Sequence, residues 1–322
     1  MNYLSLNTYL KQTFGCKVYK LAIDGGFTCP NRDGSLDTRG CIFCSGFGSG
    51  DFATSRNLSI SEQIEQAKSR VENKINDGKY IAYFQAFTNT YAPTEELRTK
   101  YMEAVSHKDV VAISIGTRPD CLSEEVLSLL EDLNKIKPIW VELGLQTIHN
   151  ESAKFIRRGY DLPVYDKAVY ELKRRGIYVI THVILGLPGE TEEMILDTVR
   201  YVCRNISPDF MEKSVSYDNK NSEDELRIDG IKLQLLHIIK NTDLAYLYDN
   251  RFNLENTNPM RNYECMGMES YVNLVRKCIE IIPNTVAIHR MTGDGDKKTL
   301  IAPLWSGDKK RVLNAINKAL SD

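Results

Sequence analysis

The sequence predicts an α/β fold built on a parallel sheet. Short apolar, β-branched runs recur along the chain, and each is separated from the next by an amphipathic stretch of helical period. The composition agrees, since 322 residues with 42% hydrophobic and 26% charged side chains are ordinary for one large globular domain.

Taken in order, a helix-like N-terminal stretch precedes strand candidates at residues 17–24, 80–87, 110–115, 139–146, 177–185 and 231–238. Between them lie helix candidates at 61–76, 94–107, 123–136, 150–157, 164–175 and 190–205. Ser59 and Ser123 stand where helix N-caps are needed, and Gly176 ends a helix directly before a strand. Strands spaced by helices imply βαβ units with right-handed crossovers. Such units fit either an open doubly wound sheet or a partial barrel with its active-site loops at the strand C-termini. The pattern does not choose between them. Two polar, Asn-rich tracts, 211–229 and 249–263, break the rhythm and are expected to be surface insertions or lids.

Lys and Arg number 41 against 43 Asp and Glu, a net charge of -2, so the whole molecule is no polyanion-binding basic body. Local basic faces remain, at Lys297, Lys298, Lys309, Lys310, Arg311 and Lys318, and at Lys173, Arg174 and Arg175. Their alternatives are solvated helix faces and favourable helix C-terminal charges. No apolar run approaches the ~20 residues of a spanning helix. The first ten residues lack the pattern of a secretory signal, so a cytoplasmic protein with no membrane association is expected.

The chain has eight cysteines. Cys121, Cys203 and Cys278 fall in or beside helix-like stretches and read as small buried hydrophobes. Cys265 lies in a polar stretch and stays unassigned. Cys29, Cys41 and Cys44 share a glycine-rich loop that follows the first strand. A structural zinc site needs a fourth ligand, and the only candidate, Cys16, precedes the strand and belongs at the other end of the sheet. A nucleophilic cysteine is the other alternative, but His107, the first histidine, lies 63 residues beyond Cys44. Three thiolates without a fourth suit a four-iron four-sulfur (4Fe-4S) cluster with one open iron.

These three cysteines, with Phe43 before the last, resemble the cysteine motif of the radical S-adenosylmethionine (SAM) superfamily. The usual spacing there is Cys-x3-Cys-x2-Cys, whereas the first gap here holds eleven residues. The longer gap is similar to that of the branch containing the Elongator catalytic subunit, and Thr28-Cys-Pro-Asn-Arg-Asp-Gly34 resembles its YhcC/YtqA (MnmL) type. The likeness continues through Tyr83 to Pro93, Gly116 to Asp120, Glu142 to Thr147, Arg158-Gly159, His182 to Glu190, Lys232 to His237 and Ile288 to Asp294. It implies a partial (β/α)6 TIM-type barrel, with a radical SAM core over 1–248 and a C-terminal extension over 249–322. It implies, too, an enzyme whose 4Fe-4S cluster binds SAM and cleaves it to methionine and a 5'-deoxyadenosyl radical.

The resemblance also marks cofactor-binding candidates. Gln85, Thr88 and Asn89 follow the second strand, where the superfamily holds the SAM amino group; their other reading is a cap for the next helix. Thr117 and Arg118 end the third strand, and Arg118 suits a bidentate grip on the SAM carboxylate or a surface ion pair. Glu142 and Gln146 share one face of the fourth strand, and a buried Glu142 needs a polar ligand or a cationic partner. Arg158 and His182 match positions that contact the SAM ribose or carboxylate; a satisfied core histidine is the other reading of His182. Gly186 would let backbone approach the adenine, with Ile184 on its face and Phe43 beside the cluster. For the substrate, the YhcC/YtqA likeness implies tRNA, whose wobble uridine would pass from a carboxymethylaminomethyl to an aminomethyl side chain. Flavodoxin or ferredoxin would be the reductant. A small-molecule substrate, or a non-catalytic metal-stabilised binding protein, is the alternative. His237 and His289, at late strand-like positions, have no assigned role.

Overall fold

The computed structural model describes residues 3–72, 78–206, 226–293 and 297–321. In chain order these form α1 (Leu6–Phe14), β1 (Val18–Ile23), α2 (Ile60–Ser69), β2 (Lys79–Phe84), α3 (Thr94–Ser106), β3 (Val110–Thr117), α4 (Glu124–Asn134) and β4 (Ile139–Gln146). There follow α5 (Asn150–Phe155), α6 (Leu162–Lys173), β5 (Tyr178–Leu185), α7 (Glu192–Cys203), β6 (Gly230–Leu235), β7 (Ile238–Ile239) and α8 (Asp243–Asp249). The chain ends with α9 (Met268–Ile281), β8 (Ala287–Arg290), β9 (Leu300–Ala302) and α10 (Lys309–Ser321).

The main sheet runs β1-β2-β3-β4-β5-β6-β8, with every neighbouring pair parallel. A doubly wound sheet reverses its strand order partway, which sends helices to both faces. This order never reverses, so the helices keep to one face and the sheet curls into a partial barrel. It has seven strands, one more than the alternation suggested, because β8 is only four residues long and lies in the C-terminal region. The capping expectations hold: Ser59 and Glu62 form a reciprocal capping box on α2, and Ser123 accepts from Val126 N on α4.

Strand alternation sorts the side chains. On β4, Ile139, Val141, Leu143 and Leu145 join the helix-facing core, whereas Trp140 and Glu142 point inward. The same rule turns Lys20, Tyr83, Ser114, His182 and Lys232 inward while Leu21, Phe84, Ile113, Val183 and Leu233 pack on helices. Fully buried Leu97, Leu129, Leu130 and Leu172 supply the helix side of that core, and truncating any of them costs about 2–5 kcal/mol.

The N-terminal end of the barrel is closed by α1. Leu10 packs with Val18, Ile81, Ala112, Trp140 and Ile180, and Trp140 stacks on Tyr178 at 4.7 Å. Cys16 belongs to this floor cluster, at the other end of β1 from the cysteine loop. Chemistry is thereby confined to the opposite, C-terminal end.

Of the two polar tracts, 211–229 falls outside the described residues as far as 225. The other, 249–263, lies largely at the surface, as expected, but is anchored to the barrel at two points. Met260 is fully buried among Ile42, Ile184 and Leu187, and Tyr263 Oη donates to the carbonyl of Gly186 at 2.7 Å. The tract seats two large side chains on the barrel mouth, and its many Asn and Asp residues masked that apolar content. No helix among the described residues is long and apolar enough to cross a membrane.

Candidate active site

The loop after β1 is held by its own polar groups. Arg32 Nη2 donates to the carbonyls of Cys44 and Ser45 at 3.0 and 2.7 Å, pinning the turn that carries the last cysteine. Gly40 makes room for that side chain, since a Cβ there would lie 2.9 Å from Arg32 Nε. Asn31 Nδ2 donates to the carbonyl of Arg157 at 2.8 Å and lies 3.5 Å from Cys41 Sγ. Further turns, Leu36 N to Pro30 O at 2.9 Å and Gly40 N to Asn31 O at 2.7 Å, fold the long gap back on itself. The eleven-residue spacer is thus local structure that returns Cys41 to the neighbourhood of Cys29.

Burial, reinforced by the neighbouring Cys44 and Cys29, pushes the Cys41 thiol up to about 12, and burial likewise raises Cys44. Such thiols give up their protons only to a strong cation. The three sulfurs are not gathered as closely as ligands of a single ion would be. Sulfurs around one tetrahedral zinc stand ~3.8 Å apart, yet among the described residues the only three metal-type donors mutually within 4.8 Å are Glu65, His107 and Asp109. Lys68 already bridges the two carboxylates of that surface set, at 2.8 and 2.7 Å. Three neighbouring but separated sulfurs fit a multinuclear cluster.

A cavity of about 1200 Å³ runs from Cys29, Cys41 and Cys44 down to the inward faces of the strands. Thirteen of the fifteen residues expected at the site line it, Asn89 and Gly186 being the exceptions. Asn89 is fully buried and donates to the carbonyls of Phe84 and Gly116 at 3.1 and 2.8 Å, which ties β2 to β3. It does not cap α3 either, whose N-cap, Pro93, has no side-chain bond. Gly186 turns its carbonyl to Tyr263, and Tyr263 with Met266 fills the space beside it, so that glycine faces the C-terminal region instead of the cavity.

Several lining residues are spent on the scaffold. Gln85 Nε2 donates to Ser49 O at 2.7 Å, and Thr88 N to Thr28 O at 3.1 Å, so both hold the cysteine loop to β2. Thr117 Oγ1 pairs with Thr90 Oγ1 at 2.5 Å. Arg118 turns its fork to Asp120, at 2.9 and 2.7 Å, which is the ion pair given as its other reading, although buried. Arg158 stacks on Tyr160 at 4.5 Å and donates to the carbonyls of Leu145, Thr147 and Tyr160. Gln146 sits at φ 71° beside a register shift in β4, and its Nε2 lies over Gly144. Phe43 and Ile184 pack in one apolar cluster on the cavity wall.

The polar centre lies deeper. Glu142 Oε1 accepts from Lys20 Nζ at 2.6 Å and Ser114 Oγ at 2.7 Å, while Oε2 meets His182 Nε2 at 2.8 Å and Lys232 Nζ. Burial opposes its charge, but the two lysines hold the Glu142 carboxyl well below the usual range. Burial, with Lys232 alongside, lowers His182 to about 4, so a neutral imidazole donates from Nε2. Lys20 and Ser114 went unnoticed as site residues. Their signal was period-two alternation, which puts both on the face that carries Glu142. His289 is set against Tyr178, 3.2 Å from its hydroxyl, as part of the floor; His237 lines the cavity under Gly293.

A sequential parallel half-barrel with three cysteines at its C-terminal mouth defines a class, and comparison with known proteins identifies it. Residues 38–202 match the Radical SAM superfamily and residues 228–322 the Radical_SAM C-terminal domain, so the chain belongs to the radical SAM superfamily of enzymes. More particularly, it is 43% identical over 320 residues to the uncharacterized protein YtqA of Bacillus subtilis strain 168, covering 99% of this chain and 90% of that one. A tRNA uridine(34) acetyltransferase of Methanocaldococcus jannaschii is 32% identical over 208 residues, 53% of this chain and 37% of that protein. The archaeal Methanocaldococcus infernus Elp3 shares the fold, with a TM-score of 0.62 at 19% identity, covering 94% of this chain and 63% of that chain. The chain is therefore a relative of tRNA-modification enzymes.

Proposed function

We propose that Cys29, Cys41 and Cys44 hold a 4Fe-4S cluster that binds SAM, and that the enzyme acts on the wobble uridine of tRNA, taking a carboxymethylaminomethyl side chain to aminomethyl. The carrying observation is that all three cysteines open onto the same large cavity as a buried polar centre. When bound, the cluster supplies the electron that splits SAM into methionine and a 5'-deoxyadenosyl radical able to abstract hydrogen. The chain's own residues bind and shelter: Phe43 and Ile184 offer an apolar wall for an adenine, and Thr88 offers a hydroxyl. The floor of Trp140, Tyr178 and Tyr9 keeps water from entering behind the substrate. The tRNA assignment draws on the relative named for acting on tRNA uridine(34). Flavodoxin or ferredoxin is the proposed reductant, and the division into a core over 1–248 and an extension over 249–322 is kept with this reading.

Anaerobically reconstituted protein is expected to bind roughly four irons per chain and to cleave SAM when given dithionite. Nucleoside mass spectrometry of tRNA from a deletion strain then tests the substrate. Unchanged wobble uridines would defeat the tRNA assignment, and a colourless protein holding one zinc would defeat the whole reading.

A further inference from the structure

The centre of the barrel carries more positive than negative charge. Glu142 is saturated, its two oxygens engaged by four donors from β1, β3, β5 and β6. Each lysine ammonium has three N–H groups. Lys20 spends one on Glu142 and one on Ser114 Oγ at 3.1 Å; Lys232 spends one on Glu142 and one on Tyr83 Oη at 3.3 Å. One donor on each is left, and both side chains line the cavity. Two ammonium groups thus face one carboxylate beside a neutral histidine, in a place where Glu142 is 1% and Lys232 4% exposed. An unmatched charge so deep is costly unless a ligand completes it. Burial lowers Lys232 to about 7 in spite of Glu142 beside it, and Lys20 and Arg290 add to the shift.

We propose that Lys20 and Lys232, spaced by Glu142, anchor a carboxylate on the substrate and thereby select for acidic over neutral side chains. The inference deepens the reading above and rests on it for the identity of the substrate. Lys20 and Lys232 together exceed Glu142 by one charge, which a single-charge anion would balance. Both lysines lie mid-strand, below the cysteine loop, so the carboxylate enters first and the rest of the substrate points toward the mouth.

The test measures binding of 5-carboxymethylaminomethyluridine and of its methyl ester to the cluster-loaded protein by equilibrium dialysis. The acid is expected to bind roughly 10- to 100-fold more tightly than the ester. Lys232→Met removes the excess charge but leaves Glu142 paired with Lys20, so the site stays balanced and the preference should fall to about one. Lys20→Met is the matching variant if that one fails to fold, and Lys232→Arg should keep the preference. Equal binding of acid and ester by the wild type overturns the proposal, as does a preference that survives both Met variants. If Lys232→Met instead abolishes discrimination between SAM and decarboxylated SAM, the anchored carboxylate is that of SAM and the proposal falls. A wild type that fails to cleave SAM counts against the radical reading alone, because the acid-to-ester ratio is still measured.

Discussion

Arg118 donates from Nε and Nη2 to the two carboxylate oxygens of Asp120, at 2.9 and 2.7 Å, and from Nη1 to the carbonyl of Arg158 at 2.8 Å. Arg118 is 8% exposed and its fork is occupied by a neighbour two residues away. Asp120→Ala would strand a buried cation, with an expected loss of roughly 2 to 4 kcal/mol. Chemical denaturation of the two proteins checks this. The exposed pair Lys154–Glu151 provides the contrast, where Glu151→Ala should leave the midpoint unmoved. Equal effects at the two sites would show that Arg118 gains nothing from its partner.

The His182–Glu142 contact gives a pH dependence with a definite sign. His182 is lowered from 6.5 to about 4 in the folded protein, chiefly by burial, so the unfolded chain takes up its proton first as pH falls. Native stability is therefore expected to drop between pH 6.5 and 4 by on the order of 3 kcal/mol, with no further loss from this group below that window. His182→Gln keeps an N–H donor for Glu142 but cannot titrate. Its stability should fall less than the wild type's between pH 7 and 5, measured by urea midpoints. Parallel curves would mean that His182 titrates alike in both states.

The barrel mouth yields a third expectation. Tyr263→Phe removes the hydrogen bond to the Gly186 carbonyl and should cost about 1 kcal/mol. Met260→Ala, at a fully buried position, should cost about 2–5 kcal/mol. If thermal unfolding shifts for neither, the tract 249–263 is the loose surface segment its composition suggested.

That tract shows where sequence reading stops. The strands β1 to β6 were legible because β-branched runs alternate with helical period, and β4 was located to the residue. Strand β8 showed only as a strand-like setting for His289, since four residues are too few for a bounded pattern. Site residues followed the same division. Cys29, Cys41 and Cys44 declare themselves by type and crowding, whereas Lys20 and Ser114 look like ordinary polar residues until curling of the sheet brings β1 and β3 to Glu142. Asn89 was not decidable from sequence because a buried Asn beside a motif and a ligand-binding Asn share one sequence signature. Only the carbonyls of Phe84 and Gly116 distinguish them.

The cysteines separate chemistry from packing. Cys29, Cys41 and Cys44 share a loop whose turns are fixed by Arg32 and Asn31, so replacing one sulfur should leave that loop standing. Cys29→Ala, Cys41→Ala and Cys44→Ala are each expected to abolish SAM cleavage while far-ultraviolet circular dichroism stays that of the wild type. Cys278, on α9, is fully buried in the helix-facing core. Cys278→Ala should keep its iron and its cleavage and lose only ~1 to 2 kcal/mol of stability. Iron analysis and electron paramagnetic resonance of the reduced proteins, run beside the cleavage assay, distinguish the two kinds of loss. A loop variant that retained SAM cleavage would remove that sulfur from the cluster, and with it the argument that a vacant iron corner is what the cavity serves.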